Sequence, residues 1–173
     1  MNKHVRQIVL FVVLLVTFAV IDVQIYKKEM TLSSGKVMLL ELAPRDPRSL
    51  MQGDYMVLRY KVAVEVGPGD AVPREGKLVM NVDEQGVATF KRVHTPGSPL
   101  APGEHLLRYR KRGREIRLGA ESFFFQEGHA NNYSGAKYGE LRVVEAGDSV
   151  LAGLRGQNLE KLGPDKEYAV RLE

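Results

Sequence analysis

Four histidines, His4, His94, His105 and His129, are the side chains able to exchange protons or ligate a metal near neutral pH. None stands within a helical turn or a strand step of another, so their spacing offers no zinc pair. Cysteine is absent, which removes thiolate ligands, thiol nucleophiles and disulfides without fixing the redox compartment. No metal and no cofactor is expected. Glu127 beside His129 is an acid–base pair by type, but nothing nearby in sequence would orient the imidazole. The chain has neither a phosphate-cradling glycine loop nor a G-x-S-x-G elbow. The four histidines therefore read as surface or loop residues.

The densest patterning lies between Pro44 and Tyr60. Asp46 can cap a helix start, with Pro47 in the first helical position, and Arg48 to Gln52 would complete a turn or two. Gly53 can stop it in a left-handed conformation, with Asp54 at the corner capping the turn. From Tyr55 to Val66 the alternation predicts a long strand, with Met56, Leu58, Tyr60, Val62 and Val64 on one face. Leu58 and Tyr60 are expected in the core or in cross-strand contact. A binding surface around Arg48, Asp54 and Tyr55 is the competing reading.

Gly53-Asp54-Tyr55-Met56-Val57-Leu58-Arg59-Tyr60 fits G-D-Y-x-x-L-x-Y at every fixed position, and the chain resembles the bacterial family named GDYXXLXY. Lys28-Glu29, Val37 to Pro44 and Asp46 to Leu50 resemble its flanks. Phe124 to Gly128 and Tyr138 to Val143 resemble its later blocks, with Gln126 where proline would be expected. The resemblance covers most of the chain. It implies a membrane-anchored protein, often associated with multi-pass membrane proteins, and it implies no catalytic residue. The motif positions it carries over are Asp46, Arg48, Gly53, Asp54, Tyr55, Leu58 and Tyr60.

A second likeness concerns type I signal peptidases, membrane-anchored β proteins in which a desolvated lysine activates a serine. Arg48 to Asp54 resembles their first strand entry, and Phe90-Lys91-Arg92-Val93 resembles their lysine block. Aligned on Leu50 and Gly53-Asp54, Arg45 stands where that family has serine. Ser49 could serve only after a register shift. A Ser49/Lys91 hydrolase, probable loss of activity included, is thus the alternative to a non-enzymatic domain.

These stretches must be held by something. Ile8 to Ile21 is apolar apart from Thr17, and Asp22 and Gln24 interrupt its extension to Ile25. The eighteen residues from Ile8 to Ile25 would rise roughly 27 Å as a helix, enough to cross a bilayer core. Tyr26, Lys27 and Lys28 suit the interface. The expected partner is therefore the lipid bilayer, entered by a transmembrane signal-anchor over residues 1–28. A cleaved signal peptide is the competing reading. Lys3 and Arg6 balance Lys27 and Lys28, so the charge rule barely speaks to orientation. The large following domain favours a single pass in the bacterial inner membrane with residues 29–173 in the periplasm. Asp22 and Gln24, polar groups within an apolar helix, are expected either to meet an integral membrane protein partner or to sit at the interface.

Glu29 to Gly35 reads as a helical continuation, and β pattern follows: Lys36–Leu42, Lys77–Val82, Val87–His94, His105–Arg110, Glu115–Leu118, Ser122–Phe125, Leu141–Glu145, Val150–Leu154 and Tyr168–Leu172. Residues 67–70 and 73–76 carry breakers, Thr95–Gly103 is a loop, and Ala130–Lys137 is a short helix or loop. Asp83-Glu84-Gln85-Gly86 is a hairpin loop. The fold class is mainly β: an antiparallel sandwich or partly open barrel with one N-terminal transmembrane helix. The net charge of +4 owes most of its excess to Lys3, Arg6, Lys27 and Lys28, so the domain lacks the basic surplus of a nucleic-acid binder. Arg108 to Arg114 is basic around Tyr109 and reads as a solvated hairpin turning at Gly113. A third functional class would be ligand binding, with Tyr55, Tyr60, Phe124, Tyr133 and Tyr138 lining a pocket.

Overall fold

The computed structural model describes residues 3–43, 55–66 and 72–163. The helical turn expected from Asp46, the motif positions Arg48, Gly53 and Asp54, the serine Ser49, the breakers at 67–70 and the strand expected over Tyr168–Leu172 lie outside them.

The apolar run and its polar continuation form one helix, α1 (Lys3–Ser34), of 32 residues, about 48 Å long at 1.5 Å per residue. Among the described residues it is the one helix long and apolar enough to cross a bilayer, and none of its apolar stretch is covered by the chain. Ile8, Leu10, Phe11 and Phe18 are each more than half exposed. A helix satisfies its own backbone bonds, which is what a lipid interior demands. Its length exceeds the roughly 30 Å of a hydrocarbon core, so the helix is longer than a crossing needs.

Gly35 ends the helix, donating its N–H to the Thr31 carbonyl at 3.0 Å. A Cβ at Gly35 would press on that carbonyl and come within 2.9 Å of the Val143 nitrogen. Arg142 Nη1 donates to the Gly35 carbonyl at 3.4 Å, and Thr31 is buried against the head. β1 (Lys36–Glu41) starts at the next residue. Helix and sheet thus meet without a linker, and only glycine allows the backbones so close.

The remaining strands are β2 (Tyr55–Val57), β3 (Glu75–Val82), β4 (Val87–Val93), β5 (Glu104–Arg112), β6 (Glu115–Arg117), β7 (Ser122–Phe124), β8 (Tyr138–Val143), β9 (Ser149–Arg155) and β10 (Lys161–Leu162). Among the described residues eight of them form one sheet, in the order β10-β9-β8-β1-β4-β3-β5-β6, while β2 pairs with β7 alone. The neighbours are antiparallel except β1 and β4, which run parallel at Leu39↔Val87 and Leu40↔Ala88. That pair is the one departure from an antiparallel expectation, and the sheet is mixed.

The sheet curls. Flat, β8 and β5 would lie about 19 Å apart, four strand spacings. Instead the turn after β8 reaches β5: the Arg108 N–H donates to the Gly147 carbonyl at 2.8 Å, and Arg108 pairs with Asp148 at 3.2 Å. The mainly β, partly open architecture expected from the sequence is therefore what forms. Inward residues alternate as strands require: Met38, Leu40, Leu78, Met80, Leu107, Tyr109, Leu141 and Val143 build the core. The hairpin loop is fixed as read, with Asp83 Oδ1 accepting from Gln85 and Val87 nitrogens at 2.9 and 2.8 Å and Gly86 at φ 85°.

The long strand expected over Tyr55–Val66 does not form. Pairing lasts only through β2, and α2 (Lys61–Glu65) follows. Met56, Leu58, Tyr60 and Val62 are all buried nonetheless. The alternation reported burial correctly, and the β-branched residues of 62–64 were overridden by tertiary context. Once Tyr60 bridges to Leu42, the chain must turn, and Ala63 donates back to the Tyr60 carbonyl at 3.1 Å.

Candidate functional site

The described part of the motif is a clasp. β2 lies against β7 in the register Tyr55↔Phe124, Met56↔Phe123 and Val57↔Ser122. Beyond it, Leu58 donates to the Glu121 carbonyl at 2.7 Å, and Ala43 donates to the Arg59 carbonyl at 2.8 Å. The segment therefore ties the exit of β1 to the entry of β7. Leu58 is 3% and Tyr60 1% exposed, which makes both of them core residues. Tyr55 turns outward and packs its ring 5.7 Å from Phe124.

Tyr60 does the most linking. Its hydroxyl donates to the Ala120 carbonyl at 2.7 Å, and its ring lies over Gly139 of β8, where a Cβ would come within 2.8 Å of Cε1. Burial pushes its hydroxyl pKa far up, helped by the charge of Glu121. Tyr60 is thus a neutral donor locked between three segments. Gly139 was missed by the sequence reading. The available signal was a glycine inside a strand pattern, which marks a close approach.

Alongside the clasp runs a groove of about 370 Å³ between the motif segment and β6, with Leu58, Ala63 and Ile116 beneath it and Val64 half-exposed at its mouth. At α2, Lys61 and Lys137 bond the two oxygens of Glu41 at 3.0 and 3.1 Å, and these bonds, Lys61's first, hold the Glu41 carboxyl below its ordinary pKa. Among the described residues that line it, no nucleophile stands beside a base.

Lys91 sits on β4 with its side chain 53% exposed and its Nζ 2.9 Å from Glu104 Oε1. A general-base lysine needs desolvated surroundings without a bonded carboxylate, and Lys91 has neither. The partner proposed for it, Ser49, lies outside the described residues. Glu104 is the unexpected carboxylate. It is buried, accepts from the Ala101 N–H at 3.0 Å and is bonded by Lys91 and Arg92. The backbone bond first and then Lys91 hold its pKa down at about 2. Glu140, also buried, accepts from Arg155 Nε at 2.7 Å. Both read as ordinary polar strand positions in sequence, because their short ion pairs, to Lys91 and Arg92 and to Arg155, come from other strands.

Glu127 is exposed and His129 half-buried, each in the turn after β7. Among the described residues no three His, Asp or Glu side chains gather to hold a metal ion. The aromatics do not converge on one pocket. Tyr133 packs on Phe123 and Phe125 at 4.9 and 5.4 Å, Tyr60 is sealed in the core, and Tyr55 faces out with Phe124.

Compared with known proteins, the chain matches the family model described as GDYXXLXY protein over residues 17–154. That span takes in the second half of the apolar stretch, the motif, the clasp and the sheet as far as β9. No curated protein and no solved structure matches it.

Proposed function

Because the chain belongs to the GDYXXLXY protein family, we propose that it works as a membrane-tethered, non-enzymatic domain that assists an integral membrane protein of the bacterial envelope. On this reading residues 1–28 pass once through the inner membrane, and residues 29–173 stand on its periplasmic side. The observation that carries the reading is the linker-free joint at Gly35, where Arg142 bonds the Gly35 carbonyl and the end of α1 packs on β8 and β9. A domain that only needed an address could hang on a flexible tether. A fixed joint spends backbone freedom, and what it gains is simultaneous presentation of a helix face and a head surface to one partner.

Two further features support it. Asp22 is exposed on the helix, where a polar group near lipid favours a protein partner. Lys91 is engaged by Glu104 rather than free for catalysis. Copurification of the full chain from native membranes in mild detergent is the test. Wild type should retain an integral membrane protein, and Asp22→Leu should retain less of it. If both elute alone, the partner reading is wrong.

A further inference from the structure

The arginine-rich hairpin has no part in that reading. β5 sets Arg108, Arg110 and Arg112 on one face by strand alternation, and all three are exposed. What faces them is α1. Gln24 and Lys28, one helical turn apart, line the same cleft as these arginines and Arg117 of β6, with a volume of about 590 Å³.

The cleft has two acids, Asp148 and Glu121, against five cations. Asp148 is bonded to Arg108 at 3.2 Å, and Glu121 accepts from the Leu118 and Gly119 N–H groups. Arg110 and Arg117 have carboxylates outside the cleft lining, Glu75 at 3.7 Å and Glu115 at 2.7 Å. Lys28 and Arg112 have no ion pair among the described residues. The cleft therefore holds uncompensated positive charge.

Its depth supplies the ligand. If Ile8 to Ile25 fills the hydrocarbon core, Lys28 lies one turn further, at about 4.5 Å beyond it, where lipid phosphates stand. We propose that this cleft holds the phosphate of an anionic phospholipid from the leaflet on the head's side. Guanidinium groups bind phosphate oxygens in pairs, and lysine adds a point charge. A zwitterionic headgroup gains less, because its ammonium is set against a lining of five cations and two carboxylates. The inference rests on the reading of α1 as bilayer-spanning.

The test is a titration of the full chain in a neutral maltoside detergent, with bound lipid counted by native mass spectrometry. Phosphatidylglycerol should bind more tightly than phosphatidylcholine. Lys28→Gln and Arg112→Gln should each weaken it about fivefold, and together about 25-fold. Lys161→Gln, on exposed β10, should change nothing. Near-UV circular dichroism would confirm that the variants fold, which their exposure favours. Equal binding of the two lipids, or unchanged affinity in the double variant, overturns the proposal. Inorganic phosphate displacing the lipid at equal concentration overturns it too, by making the cleft a free-anion site. The titration contains no partner protein, so its failure leaves the copurification result standing.

Discussion

Replacing Gly139 by alanine probes the Tyr60 clasp most directly. The new Cβ would lie 2.8 Å from Tyr60 Cε1 and 3.0 Å from its hydroxyl oxygen. Tyr60 is 1% exposed and bonded to Ala120, so its ring has nowhere to go. Overpacking of this kind costs about 1–3 kcal/mol. Glycine in a strand interior is itself about 0.5–1 kcal/mol worse than alanine, and the two effects oppose. Contact below 3 Å against a sealed ring makes the clash the larger, for a net loss of about 1–2 kcal/mol. That corresponds to a fall of about 2–8 °C in Tm. Urea denaturation of the full chain in detergent, followed by tyrosine near-UV circular dichroism, reads it, since the chain has no tryptophan. A double-mutant cycle isolates the cause. In a Tyr60→Leu background the ring is gone, and the cost of Gly139→Ala should shrink to nothing or reverse. If alanine costs the same in both backgrounds, the ring is not what Gly139 accommodates and the clasp argument fails.

Tyr60→Phe keeps the ring and strands the Ala120 carbonyl, which should cost about 1–2 kcal/mol in the same urea experiment. Glu104 has a folded pKa of about 2 against the ordinary 4.5, so its contribution is whole above about 4.5 and is lost as pH falls toward 2. Glu104→Gln should flatten the melting temperature over that window, and an unchanged acid limb would count against it. Burial first, and the charge of Lys36 second, lower the His105 pKa, so stability should also decline as pH drops below the ordinary 6.5, and His105→Gln should remove that step. Gly35→Ala should lower Tm by several degrees, through the overpacking against Val143 at the joint. Ser49→Ala and Lys91→Ala should leave the processing of exported precursors unaltered, and accumulation of any precursor would restore the hydrolase reading.

Local pattern carried most of the fold. The apolar run, the Asp83–Gly86 turn and the alternation of β1, β3, β4 and β5 are set by neighbours in the chain, and these formed close to where expected. The break after Val57 did not show, because Met56, Leu58, Tyr60 and Val62 are buried whether the backbone continues or turns. What turns it is the bridge from Tyr60 to Leu42, a contact that spacing cannot report. The parallel pairing of β1 with β4 was equally hidden, since alternation fixes a strand's faces and not its neighbours. At the site, Leu58 and Tyr60 were legible as core. Gly139, Glu104 and the approach of Lys28 to the arginine hairpin were not, because each depends on residues distant in sequence.

The placement of β1 has a consequence for how the molecule is made. It leaves the ribosome just behind the helix, yet its partners are Leu39↔Val87 on one side and Lys36↔Val143 on the other. The second of these emerges roughly 100 residues later, about 5–20 s at ordinary synthesis rates. For that interval Met38, Leu39 and Leu40, each nearly sealed in the finished structure, lack the strand that pairs with their β8 edge. β4 follows Leu39 by about 50 residues, so β1 can dock on that neighbour well before β8 arrives to close its other edge, and the centre of the sheet is completed from one side first.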